Sequence, residues 1–291
     1  MYPKTAIKDV LSYEAFFNGR KDAHSDFYTN HEKYWMEPFQ IFGNLYYIGD
    51  KRACPYLIDT SDGLIMIDTG YGHEAEYLKS NIRKLGFRVE DIKIIIHSHG
   101  HYDHFGCTNQ LKELCNAKVY MSRIDVQLIE EMPERSHIQR GPRPNDQVPH
   151  TDVLLEDGDH IRLGNTDILC RLAGGHTPGT MSFFFHVSDG RNTYRVGYLG
   201  GVGYNGMYKQ INEQHQQPYN GFHTMLETVL RLWDEPVDIT LGNHPPQNAT
   251  LEKREWMLSH PGENPFLDPA CWQTQLAVLK ENCEKAIALG Y

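Results

Sequence analysis

The sequence predicts an α/β fold in a single continuous core. Short apolar runs bounded by Gly, Asp and Ser alternate with helical patterns over most of the chain. No linker-like break in composition interrupts that alternation. Three of the apolar runs end in histidine-bearing turns: DIKIIIHSH, ILCRLAGGH and DITLGNH.

Residues 1–35 are polar and mixed, with a helical pattern in their first third, and read as an N-terminal extension packed on a domain spanning 36–291. FQIFGNLYYIG (39–49), PYLIDT (55–60) and GLIMIDTG (63–70) read as strands. EAEYLKSNIRKLG (74–86) spaces its apolar residues as a helix does and stops at Gly86, a C-cap residue. DIKIIIHSH is a buried strand, followed by a helix around 107–116 and the strand AKVYMS (117–122). MPERSHIQRGPRPNDQVPHTD (132–152), with four prolines and little periodicity, reads as a long loop of the functional kind. Beyond it, VLLEDGDHIRLGNTDILCRLAG is strand, turn, strand, and TMSFFFHVSDGRNTYRVGYLG is a hairpin. FHTMLETVLRLW (222–233) is a helix, VDITLGNH a buried strand, and 269–290 a closing helix.

The 291 residues are 40% hydrophobic and 23% charged, an ordinary composition with apolar mass for a full core. A formal net charge of −10 and only scattered basic pairs such as Arg83-Lys84 argue against nucleic acid as a partner. No stretch reaches the length of a bilayer span, and the N-terminus lacks the apolar core of a secretory signal. Six cysteines without a close pair are expected to be free thiols, so the expected location is the reducing cytoplasm. Composition leaves the oligomeric state open.

Residues 97–104 read HSHGHYDH, which places four of the 16 histidines in eight positions. Adjacent buried imidazoles repel when charged and are costly when unpaired, whereas imidazole is a natural zinc ligand. His99 and His101 lie two apart, so extended backbone aims both to one side, and Asp103 and His104 add ligands for a second ion. His176 in GGHTPG and His244 in GNHPPQ, each following an apolar run, complete two sites.

The string H-x-H-x-D-H (His99, His101, Asp103, His104), preceded by GLIMIDTG and followed by GGHTPG and GNHP, resembles the metallo-β-lactamase superfamily. FGNLYYIG, LLEDGDHIRLGNTDILCRLAGGHTPGTMS and NHPPQN resemble the β-lactamase subclass with a three-histidine first zinc site and an Asp-His-His second site. The resemblance covers roughly residues 37–270. It implies a four-layer αβ/βα sandwich with the metals at one edge. It also implies two zinc ions per chain: one on His99, His101 and His176, the other on Asp103, His104 and His244. Asp68 resembles a carboxylate that orients a ligand imidazole. His97 lies outside the pattern and is expected to hydrogen-bond near the ligands rather than to bind metal.

The implied reaction is hydrolysis of an amide or ester of a small molecule by a metal-bridged hydroxide, with Asp103 also orienting the nucleophile. Many lactone and thioester hydrolases of the superfamily carry a bridging aspartate in a Gly-Asp pair, where this chain has Gly200 and Gly201. Lactone or thioester hydrolysis therefore stands as an alternative. An iron-dependent oxidoreductase is a further one, lacking here both the bridging acid and a Glu at the position of His101. The subclass places serines where this chain has Gly201 and Gly203, and these two with Tyr204 are the expected substrate pocket. The Gln-, Asn- and Tyr-rich 204–220 stretch suggests a small polar or aromatic substrate held by hydrogen bonds.

Overall fold

The computed structural model describes residues 30–140, 146–204, 206–214 and 219–291, so most of the expected N-terminal extension lies outside the described residues. The 39–49 run forms two strands, β1 (Phe39–Phe42) and β2 (Leu45–Tyr47), paired antiparallel. Gly43 makes the reversal at φ +52°, where a Cβ would lie 2.2 Å from the Ser188 carbonyl oxygen, so only glycine fits. β3 (Tyr56–Asp59) and β4 (Leu64–Ile67) follow, then helix α1 (Ala75–Lys84), which ends at Gly86 in a left-handed conformation, φ +87°. After β5 (Ile92–Ile96), the helix predicted near 107–116 is two short pieces, α2 (Tyr102–Phe105) and α3 (Thr108–Lys112).

β6 (Lys118–Ser122) runs directly into α4 (Arg123–Glu131), a helix the sequence reading left unassigned. The Ser122 hydroxyl caps it, accepting from the Asp125 N–H at 3.1 Å. The 132–152 segment is not wholly irregular: Pro133–Ser136 and Ile138–Arg140 are 3-10 turns. The stretch read as strand, turn, strand holds three strands: β7 (Val153–Leu155), β8 (His160–Leu163) and β9 (Thr166–Leu172). β10 (Met181–Ser188) and β11 (Thr193–Leu199) form the expected hairpin. The remaining elements are α5 (Lys209–Gln214), α6 (Gly221–Arg231), β12 (Ile239–Gly242), α7 (Thr250–Ser259) and α8 (Pro269–Ala288).

Among the described residues, the strands form a seven-stranded sheet, β1 to β7 in sequence order, and a five-stranded sheet ordered β12-β11-β10-β9-β8. Strand alternation divides each sheet's side chains between two cores. Ile65, Ile67, Ile94 and Ile96 meet Phe183, Phe185, Tyr198 and Leu241 in the layer between the sheets. Leu64, Met66 and Ile95 face outward onto Leu78 and Ile82 of α1. Phe184 and Leu199 face outward onto Phe222 and Met225 of α6 and Trp272 and Leu276 of α8. The result is helix, sheet, sheet, helix. Full burial of each such side chain contributes about 1.5–3 kcal/mol.

This layering positions the site. β4 and β5 are parallel, as are β11 and β12, and β9 runs the same way as β11 because both are antiparallel to β10. The carboxyl ends of β4, β5, β9 and β12 therefore emerge together, where an α/β sheet ordinarily binds its ligand.

Candidate metal centre

The HSHGHYDH segment leaves β5 and enters α2, so its ligating residues sit on a short turn anchored at both ends. His176 follows β9 and His244 follows β12. Two groups form: His99, His101 and His176, and Asp103, His104 and His244, with the ligating atoms of each group within 4.8 Å of one another. His99 Nε2 lies 3.1 Å from His101 Nδ1, and Asp103 Oδ2 lies 3.5 Å from Nε2 of both His104 and His244. Ligands about 2.0–2.1 Å from one tetrahedral ion sit roughly 3.4 Å apart, and these three separations are close to that length.

The other ring nitrogens are committed elsewhere, which fixes the direction of the lone pairs. His176 Nδ1 donates to the Gly203 carbonyl at 2.6 Å, and His244 Nδ1 to the Arg52 carbonyl at 2.6 Å. The Arg52 carbonyl is itself held in place, because Asp50 Oδ1 accepts from the Arg52 and Ala53 N–H groups, each at 2.7 Å. His104 Nδ1 donates to Asp68 Oδ2 at 2.9 Å, and its Nε2 is buried with no hydrogen-bond partner. A buried imidazole nitrogen aimed at two ligand atoms and bonded to none is what a metal site looks like from the protein side.

Electrostatics agree. Burial, together with the neighbouring imidazoles, holds His99 and His101 well below the usual histidine value, and burial pushes His176 down to about 4. Their lone pairs are therefore free of protons at neutral pH, as metal binding requires. Burial also opposes charge on His104, but the Asp103 and Asp68 carboxylates overcome it and raise that residue. Burial disfavours the Asp68 and Asp103 carboxylates too, yet the histidines beside them keep both below the ordinary aspartate value.

Asp68 sits at φ +56°, a left-handed conformation costing on the order of 1–3 kcal/mol in a non-glycine residue. Its carboxylate accepts from the Ser98 N–H and hydroxyl, each at 2.8 Å, from His104, and from the Tyr198 hydroxyl at 2.7 Å. His97 lies beneath it, fully buried, its Nε2 3.1 Å from Thr108 Oγ1 and its Nδ1 3.9 Å from Asp68 Oδ1.

The residues expected to line a substrate pocket are placed differently. A Cβ on Gly201 would lie 2.3 Å from the His176 ring, and one on Gly200 2.2 Å from the Met181 carbonyl oxygen. Close packing therefore leaves no room for a side chain at either position. The Gly203 carbonyl holds His176. Tyr204 is 2% exposed, packed on Phe222 with its hydroxyl accepting from Asn282, and belongs to the α6–α8 core.

Sequence reasoning missed Asp125 of α4. Its buried carboxylate accepts from the Gly100 N–H at 2.8 Å, the Gly179 N–H at 2.8 Å and the Thr177 hydroxyl at 2.7 Å. It thereby ties the His99–His101 turn to the His176 turn. The local signal was Ser122-x-x-Asp125 ahead of an apolar run, a helix-start pattern.

The comparisons with known proteins agree with this architecture. The family model described as the metallo-beta-lactamase superfamily matches residues 55–190. Hydroxyacylglutathione hydrolase GloC of Haemophilus influenzae is 30% identical over 155 residues, 53% of this chain and 70% of that protein. The crystal structure of BJP-1, a subclass B3 metallo-beta-lactamase of Bradyrhizobium japonicum, superposes with a TM-score of 0.74 at 29% identity, covering 87% of this chain and 94% of that one. Native FEZ-1 metallo-beta-lactamase from Legionella gormanii gives a TM-score of 0.77 at 27% identity, covering 87% and 95%. With its αβ/βα layers and its two imidazole-rich groups at one sheet edge, the chain belongs to the metallo-beta-lactamase superfamily.

Proposed function

We propose that this protein is a dizinc hydrolase that cleaves an amide or ester bond of a small molecule. The observation that carries this is the pair of three-residue groups, each with the donor types of a zinc site and with ligating atoms close enough to share one ion. Zinc held by His99, His101 and His176 and by Asp103, His104 and His244 would polarise a carbonyl and supply hydroxide near neutral pH. The chain's own contribution is orientation: Gly203, Arg52 and Asp68 lock three imidazole tautomers through their Nδ1–H groups. Asp103, whose carboxylate histidines keep ionised, is placed to accept a proton from the attacking nucleophile. Six free, buried cysteines support a reducing compartment such as the cytoplasm. Among the described residues, no helix is long and apolar enough to cross a membrane.

The packing at Gly200 and Gly201 favours an amide or ester over the lactone and thioester reading. Side chains at those positions would overlap Met181 and His176, so no carboxylate can reach between the two groups from there. The likeness to a hydroxyacylglutathione hydrolase keeps acylglutathione-type substrates as the second reading. The test is a panel of β-lactams, lactones, thioesters and phosphoesters, run with zinc-loaded and chelated protein. Zinc-dependent turnover of β-lactams or esters, lost by a hundredfold or more in Asp103→Ala, is expected. No turnover of any of these, or an Asp103→Ala variant as active as the parent, overturns the proposal.

A further inference from the structure

We propose that Asp50 and Glu74 share one buried proton, carried by Glu74, and that this proton sets the Arg52 carbonyl that orients His244. The proton belongs to the folded chain itself and goes beyond the hydrolytic reading above. Asp50 lies in the turn between β2 and β3, and Glu74 closes the 3-10 turn Gly72–Glu74 that leads into α1. Each residue is 1% exposed, and their carboxyls stand within hydrogen-bond reach of one another. Asp50 Oδ1 is occupied by the Arg52 and Ala53 N–H groups, and Glu74 Oε2 accepts from the Tyr71 N–H at 3.2 Å. Asp50 Oδ2 and Glu74 Oε1 remain, both buried and both without a donor.

Two ionised carboxyls in buried contact repel and leave both of those oxygens unsatisfied. One proton turns the contact into a hydrogen bond and satisfies the two together. The donors decide which residue carries it. Asp50 gathers two backbone N–H groups at 2.7 Å each, whereas Glu74 has one at 3.2 Å, so the charge rests on Asp50 and the O–H on Glu74. Burial, then the charge of Asp50, lifts the Glu74 carboxyl well above the ordinary glutamate range. Tyr47 of β2, Cys54 and Tyr77 of α1 face the pair, and burial pushes all three up, so they are neutral. Arg52 is the cation beside the pair, and its pull on either carboxyl is weaker than the effect of burial. With one proton the pair carries a single negative charge, which one guanidinium can answer. The Asp50 carboxylate then holds the 52–53 backbone, and the Arg52 carbonyl accepts from His244 Nδ1 at 2.6 Å. Glu74 is thus a positioning residue that acts on His244 through Asp50 and Arg52.

Three measurements on the full chain test it. In carbon-13 NMR of the carboxyl groups at pH 7, assigned with Glu74→Gln and Asp50→Asn, the Glu74 carbon is expected at its protonated position and the Asp50 carbon at its ionised one. Both carbons at the ionised position overturn the proposal. The second measurement is urea unfolding of the parent and of Glu74→Gln from pH 5 to pH 7. An unfolded glutamate has lost its proton over most of this range, while folded Glu74 keeps it, so the parent loses stability relative to the variant as pH rises. The ratio of unfolding constants, parent over Glu74→Gln, is expected to rise by up to about tenfold per pH unit. The buried histidines act oppositely but are common to both proteins and cancel in the ratio. A ratio independent of pH overturns the shared proton. The third is zinc affinity at the Asp103–His104–His244 group by competition with a chelator. It is expected to fall about tenfold or more in Glu74→Leu and to recover in Glu74→Gln, whose amide donates as the acid does. Full affinity in folded Glu74→Leu, or equal loss in both variants, overturns the link to His244.

Discussion

At Asp68 four donors converge on a single carboxylate: the Ser98 N–H and hydroxyl, His104 Nδ1–H and the Tyr198 hydroxyl. The strain of its left-handed backbone is tolerated because that carboxylate links β4, the histidine turn and β11. Asp68→Asn tests this, since asparagine accepts the same left-handed conformation while it removes the charge and sets an NH2 donor where one oxygen accepted. We expect zinc affinity at the Asp103–His104–His244 group to fall about 10- to 100-fold, read by competition with a chelator. Unchanged affinity would mean that His104 is oriented by packing alone. The residues of the two candidate metal groups were legible because four of the six lie within six consecutive positions, and because His176 and His244 each follow an apolar run into a Gly-containing turn. Asp125 was not legible, because its partners lie 25 and 54 residues away and are backbone N–H groups, which carry no sequence signature. Gly201 and Gly203 were read as places where serines are missing, and the sequence did not show that a Cβ on Gly201 would meet the His176 ring or that the Gly203 carbonyl accepts from His176.

At the scale of elements, α4 carries the device that holds the His99–His101 turn and the His176 turn together. Removing the Asp125 side chain leaves the buried Gly100 and Gly179 N–H groups without their acceptor, each costing on the order of 1–3 kcal/mol. Asp125→Ala should therefore lower the unfolding free energy by several kcal/mol in denaturant titration. It should also loosen zinc on His99, His101 and His176 more than on Asp103, His104 and His244. Equal loss at both groups would point to general destabilisation. Ser122→Ala, which removes only the cap, should cost about 1 kcal/mol and leave metal content intact. The crossing of β7 into the other sheet was missed for a physical reason. VLL and HIRL are neighbours in sequence, but β7 pairs with β6 in one sheet and β8 with β9 in the other. Hydrophobic alternation reports which face is buried and not which sheet a strand joins.

For the whole molecule, the buried histidines make the metal-free protein acid-labile. His97 and His176 are both pushed down to about 4 by burial, against about 6.5 in an unfolded chain. As pH falls from 6.5 toward 4, the unfolded chain takes up protons that the folded chain refuses, so stability is lost across that window. Each such group can contribute up to about 1.4 kcal/mol per pH unit. His99 and His101 act in the same direction, and His104, raised by its carboxylates, acts against them. Urea unfolding of chelated protein should thus give a clearly lower stability at pH 5 than at pH 7. Equal stability at the two values would show that the folded site accepts protons freely.

Each metal group draws residues from both sheets: one turn after β5 supplies His99, His101, Asp103 and His104, while β9 supplies His176 and β12 supplies His244. In the language of polymer topology, two bound ions would be cross-links. The shortest loops they close between the two sheets run from 101 to 176 and from 104 to 244, or 75 and 140 residues. Closing loops of that size removes much of the freedom of an unfolded chain. The two loops also overlap, so opening either one leaves the sheets joined by the other. A pair of ligand sets built for chemistry would in this way also act as the fastening between the two halves of the sandwich.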